Sequence, residues 1–449
     1  MGELFFGLPQ ADEVSLEGER VGSARVMRPE RAQLSWDMVD LDQLVAADHP
    51  ARMVAAFVEG LDLTPLYEEI RARADGPGRD AIDPALLLML WLFATVEGVG
   101  SAREVARLCT RDQAYRWLCG GVGVNHHALS DFRAHKADFI DKLLTDSVTA
   151  LVAEGLVSLE TLAHDSVKVR ACAGSSSYRG GERLLKLRGK MEARVAALKE
   201  EIEADPQAGG RRKQAAQVRA ARERLERCRR AQERLAELED AQKKRRKKDR
   251  IDRKTGKDKP VRASTTDPEA RVIAFAAGEW RPGYSLQVTS DPHTLVAVGL
   301  SVHDGVDAGQ VRPALEQIEA RYQGLPQSFL ADCGFCAKEE IAFAHQNGVE
   351  AVIPHNNEAR LGDGAYASTY RNTLPGIADW RERMVRPETR ELYKLRCRIE
   401  CVFAQMRNRG LRLLHVRGKQ KVRGEALIHL LAHNMICSAR LRLAAQLAT

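Results

Sequence analysis

Residues 159–170 read LETLAHDSVKVR, and this stretch decides how the rest of the chain is divided. Apolar and polar residues mix over a length suited to a β-strand. Asp165 stands in its middle, where a carboxylate is expensive unless it is used. Upstream, from Leu41 to about Ala153, the pattern is helical, with Asp83-Pro84 as a helix start and Gly98, Gly100 and Gly120-Gly121 as breaks. The change of period near residue 159 therefore separates an all-α amino-terminal part from an α/β part.

Downstream, residues 181–261 interrupt the strand pattern. Leu184, Leu187, Met191, Val195, Leu198 and Ile202 recur at three and four residues, Asp205-Pro206 and Gly209-Gly210 turn the chain, and Val218, Leu225, Cys228, Leu235 and Leu238 return it. An antiparallel coiled-coil hairpin projecting from the core is expected. It ends in Lys243, Lys244, Arg245, Arg246, Lys247 and Lys248, followed by five more cations up to Lys259. Such a run repels itself unless a polyanion neutralises it, which points to a sequence-independent DNA grip carried away from the core, with a solvated linker as the plainer reading.

Strand signals then return. Gly283 to Thr289 alternates, and Leu295 to Val302 is a continuous apolar run, so the two are expected to pair around Ser290-Asp291-Pro292. A helix over 308–322, a strand over 327–331 ending at Asp332, a helix over 337–347 and a strand over 350–354 follow, and residues 383–409 and 421–447 read as long helices. In the amino-terminal part, residues 101–133 hold two short helical segments around Gly120–Gly123. The second carries His126, His127, Ser130, Asp131 and Arg133, with His135 just beyond. It reads equally as the reading helix of a helix-turn-helix or as the polar face of a small bundle.

The chain's 449 residues allow two to four domains, and 44% hydrophobic content with a net charge of +7 fits a folded protein with a moderate basic excess. No export signal or span-length apolar run is read, which predicts no membrane partner. Nine scattered cysteines suit a reducing cytoplasm. Cys333 with Cys336 and Cys397 with Cys401 read as free thiols in preference to a zinc site.

The candidate chemistry lies in Asp165, Asp332 and Glu400. Hard divalent cations take oxygen ligands, and three carboxylates on strands and a following helix are what two Mg²⁺ ions need for in-line phosphoryl transfer, with Mn²⁺ a possible substitute. Three acids among 62 prove little by themselves. On the late helix, however, Tyr393, Arg396, Glu400 and Arg407 fall at spacings of three, four and seven, on one face. Guanidinium groups beside a carboxylate suit metal and phosphate together, although an ordinary surface ion pair has the same spacing.

Tyr-x2-Arg-x3-Glu-x6-Lys is the YREK signature of bacterial insertion-sequence DDE transposases, and this chain resembles it with Arg407 in place of Lys. Ala331-Asp332-Cys333-Gly334-Phe335 is similar to that family's second motif, and His164-Asp165-Ser166 occupies the place of its first aspartate. Gly283-Tyr284-Ser285-Leu286-Gln287 looks like its Gly-Tyr-Asn-x-Gln strand, and Asn408–Leu411 through Val416–Gly418 resembles the segment after its glutamate. Ser166 and Cys333 replace what are usually glycines. The resemblance spans roughly residues 38–438 and is nearest to the insertion-sequence-1182 family, with an InsH-type amino-terminal domain.

The resemblance implies an α/β protein with an RNase H-like catalytic core over 154–180 and 262–438, behind a lead-in over 1–37 and a helical DNA-binding domain over 38–153. The basic hairpin is inserted over 181–261, and 439–449 is a helix end. It further implies metal held by Asp165, Asp332 and Glu400, DNA phosphate met by Arg396 and Arg407, and a strand end oriented by Tyr393. The expected activity is cleavage at the element's terminal inverted repeats and strand transfer into target DNA, by a homodimer or larger assembly, in the bacterial cytoplasm at the nucleoid. Two rivals stay open: an RNase H-like nuclease or resolvase, and a catalytically silent DNA-binding relic.

Overall fold

The computed structural model describes residues 40–70, 80–204, 210–244, 258, 260–275, 278–303, 307–366 and 374–448. Seven helices open the chain: α1 (Pro50–Glu59), α2 (Thr64–Glu68), α3 (Pro84–Val96), α4 (Ala102–Arg111), α5 (Gln113–Cys119), α6 (His126–His135) and α7 (Ala137–Ala153). Asp83 caps α3 by accepting from Ala85 N, with Pro84 at its first turn, as the sequence suggests. α3 is apolar almost all round and ten of its residues are buried, which makes it the centre of this helical layer.

β1 (Thr161–Arg170) and β2 (Tyr178–Arg179) follow, then α8 (Gly181–Ala204) and α9 (Arg211–Lys243), β3 (Ala263–Ser264), β4 (Arg271–Ala274), β5 (Trp280–Ser290), β6 (Ala297–His303), α10 (Val311–Tyr322), β7 (Ser328–Ala331), α11 (Lys338–Gln346) and β8 (Glu350–Val352). The chain continues through α12 (Glu358–Leu361), α13 (Ile377–Met384), α14 (Pro387–Lys394), α15 (Ile399–Asn408) and α16 (Lys419–Ala448). The main sheet is mixed. β5 lies between β1 and two partners, β4 and β6, all antiparallel to it, while β7 runs parallel to β1 and β8 parallel to β7. The chain is thus α/β with helices in the majority.

α16 joins the two parts. It packs on α3, α6 and α7 on one side and on β6 on the other, and the apolar core runs without a break from Val45 to Cys437. Its polar residues do specific work. The Asn434 side chain accepts from Ala297 N at 2.9 Å and donates to Ala297 O at 2.7 Å, and His433 Nε2 meets Leu295 O at 2.8 Å. These bonds hold Leu295 at φ 67, a left-handed backbone unusual for a leucine. For that reason β6 starts at Ala297 and not at Leu295, although the pairing of β5 with β6 across the Ser290-Asp291-Pro292 turn is as expected.

Two other expectations give way. Residues 383–409 do not form one long helix: Arg386 is extended, Pro387 opens α14, and a 3₁₀ turn over Leu395–Arg398 separates it from α15. Proline is at ease at the first position of a helix and not inside one. Residues 101–133 contain three helices, and Arg133 is not free to read anything. It is 5% exposed, with its guanidinium 4.2 Å over the Trp91 ring, donating to Gly100 O at 2.6 Å and 3.7 Å from the buried Glu425.

α8 and α9 do form an antiparallel pair. Leu184 packs on Leu235 and Ala231, Arg188 donates to Gln232, and Glu192 stands beside Arg229. This small apolar cluster also takes in Ala263, apart from the main core. Lys243 and Lys244 lie at the returning end of α9, eight and nine residues past Leu235. These two residues, which open the basic stretch, therefore lie at the base of the hairpin. Arg245, Arg246, Lys247 and Lys248, like the lead-in over 1–37, lie outside the described residues.

Two measurements check the role of α16. Asn434→Ala leaves two buried backbone groups unpaired, each worth about 1–3 kcal/mol, so denaturant unfolding should show a loss of that order. His429 and His433 are buried, and burial above all holds both near a pKa of about 4 against an ordinary 6.5. The unfolded chain therefore binds more protons between these values. Stability should be full above pH 6.5 and fall towards pH 4, by on the order of 3 kcal/mol per histidine at about 1.4 kcal/mol per pKa unit; His433→Gln should shallow that slope.

Candidate active site

Sheet register brings the first two carboxylates together. β1 and β7 run parallel with His164 opposite Ala331, so the next positions, Asp165 and Asp332, adjoin where β7 ends. Side chains alternate along a strand, which sets Asp165 on the face of Ala163, Val167 and Val169, all buried. Asp332 is extended and caps the 3₁₀ turn Cys333–Phe335, its Oδ1 accepting from Gly334 N at 2.8 Å. A Cβ on Gly334 would stand 2.9 Å from that oxygen, so glycine fits here where a larger residue would displace the carboxylate.

The third carboxylate reaches the pair through arginine. Arg396, in the 3₁₀ turn, donates through Nη1 to Asp165 Oδ2 at 2.8 Å and through Nη2 to Glu400 Oε1 at 2.9 Å. The two acids differ in setting: the Asp165 side chain is 15% exposed and that of Glu400 63%. Burial pushes Asp165 up to about 6, against the Ser166 N–H and Arg396, with Asp332 and Asp307 raising it further. Burial likewise pushes Tyr393 up to about 12, with Arg396 opposing and Asp332 adding. Tyr393, Arg396, Asp165, Asp332 and Glu400 thus share one electrostatic neighbourhood. Arg407 is exposed on α15, seven residues past Glu400, or about 10 Å along the helix at 1.5 Å per residue.

Among the described residues, no three His, Cys, Asp or Glu side chains stand close enough to hold a metal ion. In chemistry the donors nevertheless suit a hard divalent cation: they are carboxylates, and Asp165 is crowded by two others, offset by the Ser166 N–H and Arg396. The nine cysteines are free thiols, with Cys333, Cys397 and Cys401 exposed. No helix among the described residues is long and apolar enough to cross a membrane.

With this geometry in view, residues 254–435 match the family described as a transposase DDE domain, and residues 39–135 match a transposase domain (DUF772). The two matches support a DDE transposase. Asp332 and Glu400 fall inside the DDE match, while Asp165 precedes it, beyond the α8–α9 hairpin. Neither the curated proteins nor the solved structures give a match.

One acid near the site was not singled out from the sequence. Asp307 accepts from Gln287 Nε2 at 3.0 Å and raises the pKa of Asp165. Gln287 was noted only as the end of the Gly283–Gln287 motif. An aspartate between a strand and a helix reads from sequence as a turn residue, so only the fold separates it from the chain's other acids.

Arg396→Ala removes the cation nearest Asp165. The Asp165 pKa should rise above about 6 in a carboxyl NMR titration, and an unchanged value would mean that the ion pair does not form in solution.

Proposed function

We propose that this chain is a transposase of the insertion-sequence-1182 kind, which cleaves DNA at its element's terminal inverted repeats and transfers the freed 3′ ends into target DNA. The observation that carries the reading is the meeting of Asp165 and Asp332 at the end of β7, with Arg396 connecting Asp165 to Glu400. The transposase DDE match over 254–435 supports it. Three antiparallel strands, β6, β5 and β1, continued by the parallel β7 and β8, support an RNase H-like core.

In this reading Asp165, Asp332 and Glu400 hold Mg²⁺ or Mn²⁺, which when bound supplies activation of the attacking oxygen and stabilisation of the leaving one. The chain's own residues position the DNA. Arg396 presents a planar fork that can pass from carboxylate to phosphate, since both accept its paired donors. Arg407, exposed on α15 beyond Glu400, takes a second phosphate with the same geometry, where the family signature has a lysine. Tyr393, half-buried and held neutral, places its ring against the strand end.

The division of labour follows the chain. Residues 38–153 bind the terminal repeat, 154–180 with 262–438 carry out the chemistry, and the hairpin over 181–261 supplies a basic stretch from Lys243 to Lys248 for sequence-independent backbone contact. Because that stretch begins at the hairpin base, the grip acts beside the core. A homodimer or larger assembly at the bacterial nucleoid would hold both element ends.

The test is Mg²⁺-dependent cleavage and joining of DNA carrying the element's ends, comparing the protein with Glu400→Gln. Exposed Glu400 costs little stability to change, so the variant should stay folded and lose both steps by at least about a hundredfold. Cleavage without joining would favour a nuclease, and binding with neither step a silent relic.

A further inference from the structure

We propose that Cys333 and Cys336 are a redox couple: two thiols that close reversibly to a disulfide and, in closing, draw Asp332 out of its place beside Asp165. The effect on catalysis rests on the reading above; the thiol chemistry does not. Cys333 opens the 3₁₀ turn after β7 and Cys336 ends it, with Cys336 N donating to Cys333 O at 3.2 Å. A turn closed in this way brings its first and fourth Cα atoms within about 7 Å, and side chains three apart on a 3₁₀ turn eclipse. A disulfide needs Cα atoms about 4.4–6.8 Å apart, so the backbone already presents the two thiols to each other. Of the other free cysteines, Cys109, Cys119, Cys228 and Cys437 are buried, and Cys397 Sγ donates to Lys394 O at 2.9 Å.

The two sulfurs differ in setting. Cys333 is exposed and Cys336 half-buried, so an oxidant meets Cys333 first. Burial above all holds the Cys336 thiol up at about 11, with the Asn356 N–H opposing and Cys333 adding to it. Cys333 also bears on Tyr393, which puts this chemistry at the edge of the site. With oxidised glutathione as oxidant, the Cys333 sulfur attacks the glutathione disulfide; an S–S bond to Cys333 forms and one glutathione leaves, taking the Cys333 proton. Cys336 then attacks the Cys333 sulfur, the mixed disulfide breaks, and the second glutathione leaves with the Cys336 proton. Two protein thiols are oxidised, and one glutathione disulfide is reduced to two thiols. Phe335 is fully buried, so the exposed Cys333 end of the turn is the one that moves. Asp332 moves with it, because its Oδ1 and main-chain oxygen accept from Gly334 N and Phe335 N inside the same turn, at 2.8 and 3.2 Å.

The experiment places the full-length protein in oxidised or reduced glutathione, followed by alkylation, tryptic cleavage and mass measurement of the peptide over 322–338, which holds both cysteines. The reduced peptide should carry two alkyl groups and the oxidised one none, and a reducing dithiol should restore both. In Cys336→Ser the exchange should stop at a glutathione adduct on Cys333. In the same samples, Mg²⁺-dependent cleavage of DNA carrying the element's ends should fall about a hundredfold on oxidation, as expected for a misplaced catalytic carboxylate, and return on reduction. A peptide that keeps both alkyl groups, a lasting adduct in the unaltered protein, or a link to Cys397 or Cys401 would overturn the couple. Closure without loss of cleavage would overturn its coupling to Asp332. If the reduced protein cleaves no DNA, the transposase reading fails, and the peptide masses still decide whether the thiols pair.

Discussion

The fork of Arg396 between Asp165 and Glu400 is the contact on which the arrangement of the site depends. Asp165 belongs to β1 and Glu400 to α15, separated by most of the sheet in sequence, and one planar guanidinium closes that distance with two charge-assisted bonds. The 3₁₀ turn is what makes it possible. A break at Pro387 and a tighter winding over Leu395–Arg398 let the chain rise past the end of β7 and set Arg396 over β1. An uninterrupted helix over 383–409 would have kept the same spacing of residues and lost this approach.

The second constraint is α16, which makes the amino-terminal helices and the sheet share one core. Its apolar residues alone would place it loosely; its polar ones set the register. Asn434 fixes the start of β6, and Glu425, buried, accepts from His415 N and stands against Arg133 of α6. A His415 ring lies where a side chain on Gly100 would go, its Cε1 only 2.2 Å from the Cβ position. A residue of the helical layer, the segment after α15 and α16 are thereby interlocked. Movement of the amino-terminal helices against the sheet would have to break a buried ion pair, at a cost of several kcal/mol.

How much of this was legible follows from which forces act locally. Strand alternation and turn residues sufficed for β1, for the β5–β6 pairing and for Asp332 at a strand end, because period two and a turn at Asp291-Pro292 are written in neighbouring residues. The acids were legible by resemblance. What was not legible depends on partners far away in sequence: Leu295 is held by α16, Arg133 is taken by Trp91 and Glu425, and Asp307 meets Gln287 of β5. The two helices of the hairpin follow from heptad-like spacing, but that spacing cannot say which end returns to the core, and among the described residues only Lys243 and Lys244 of the basic stretch can be placed, at the base.

The two faces of β1 explain why the loop after β7 has to be so tight. Asp165 shares its face with Val167 and Val169, while His164 and Ser166 share the other with their partners Thr289 and Gln287. Residues 332–335 cross from one face to the other within a single 3₁₀ turn. Asp332 stands beside Asp165, and Phe335 is fully buried with its ring 5.0 Å from that of His164. His164 is in turn fixed by Thr289 Oγ1 at 2.8 Å from its Nδ1. Gly334 lies at the crossing, where a Cβ would press on Asp332 and come into contact with Asp307. Cys333, one residue earlier and exposed, has room for its side chain. The tolerance for a replaced glycine at 333 and the demand for one at 334 therefore have the same origin: the apolar anchor of Phe335 pulls the turn down on one face while Asp332 stands beside Asp165, and only the residue between them has no space to spend.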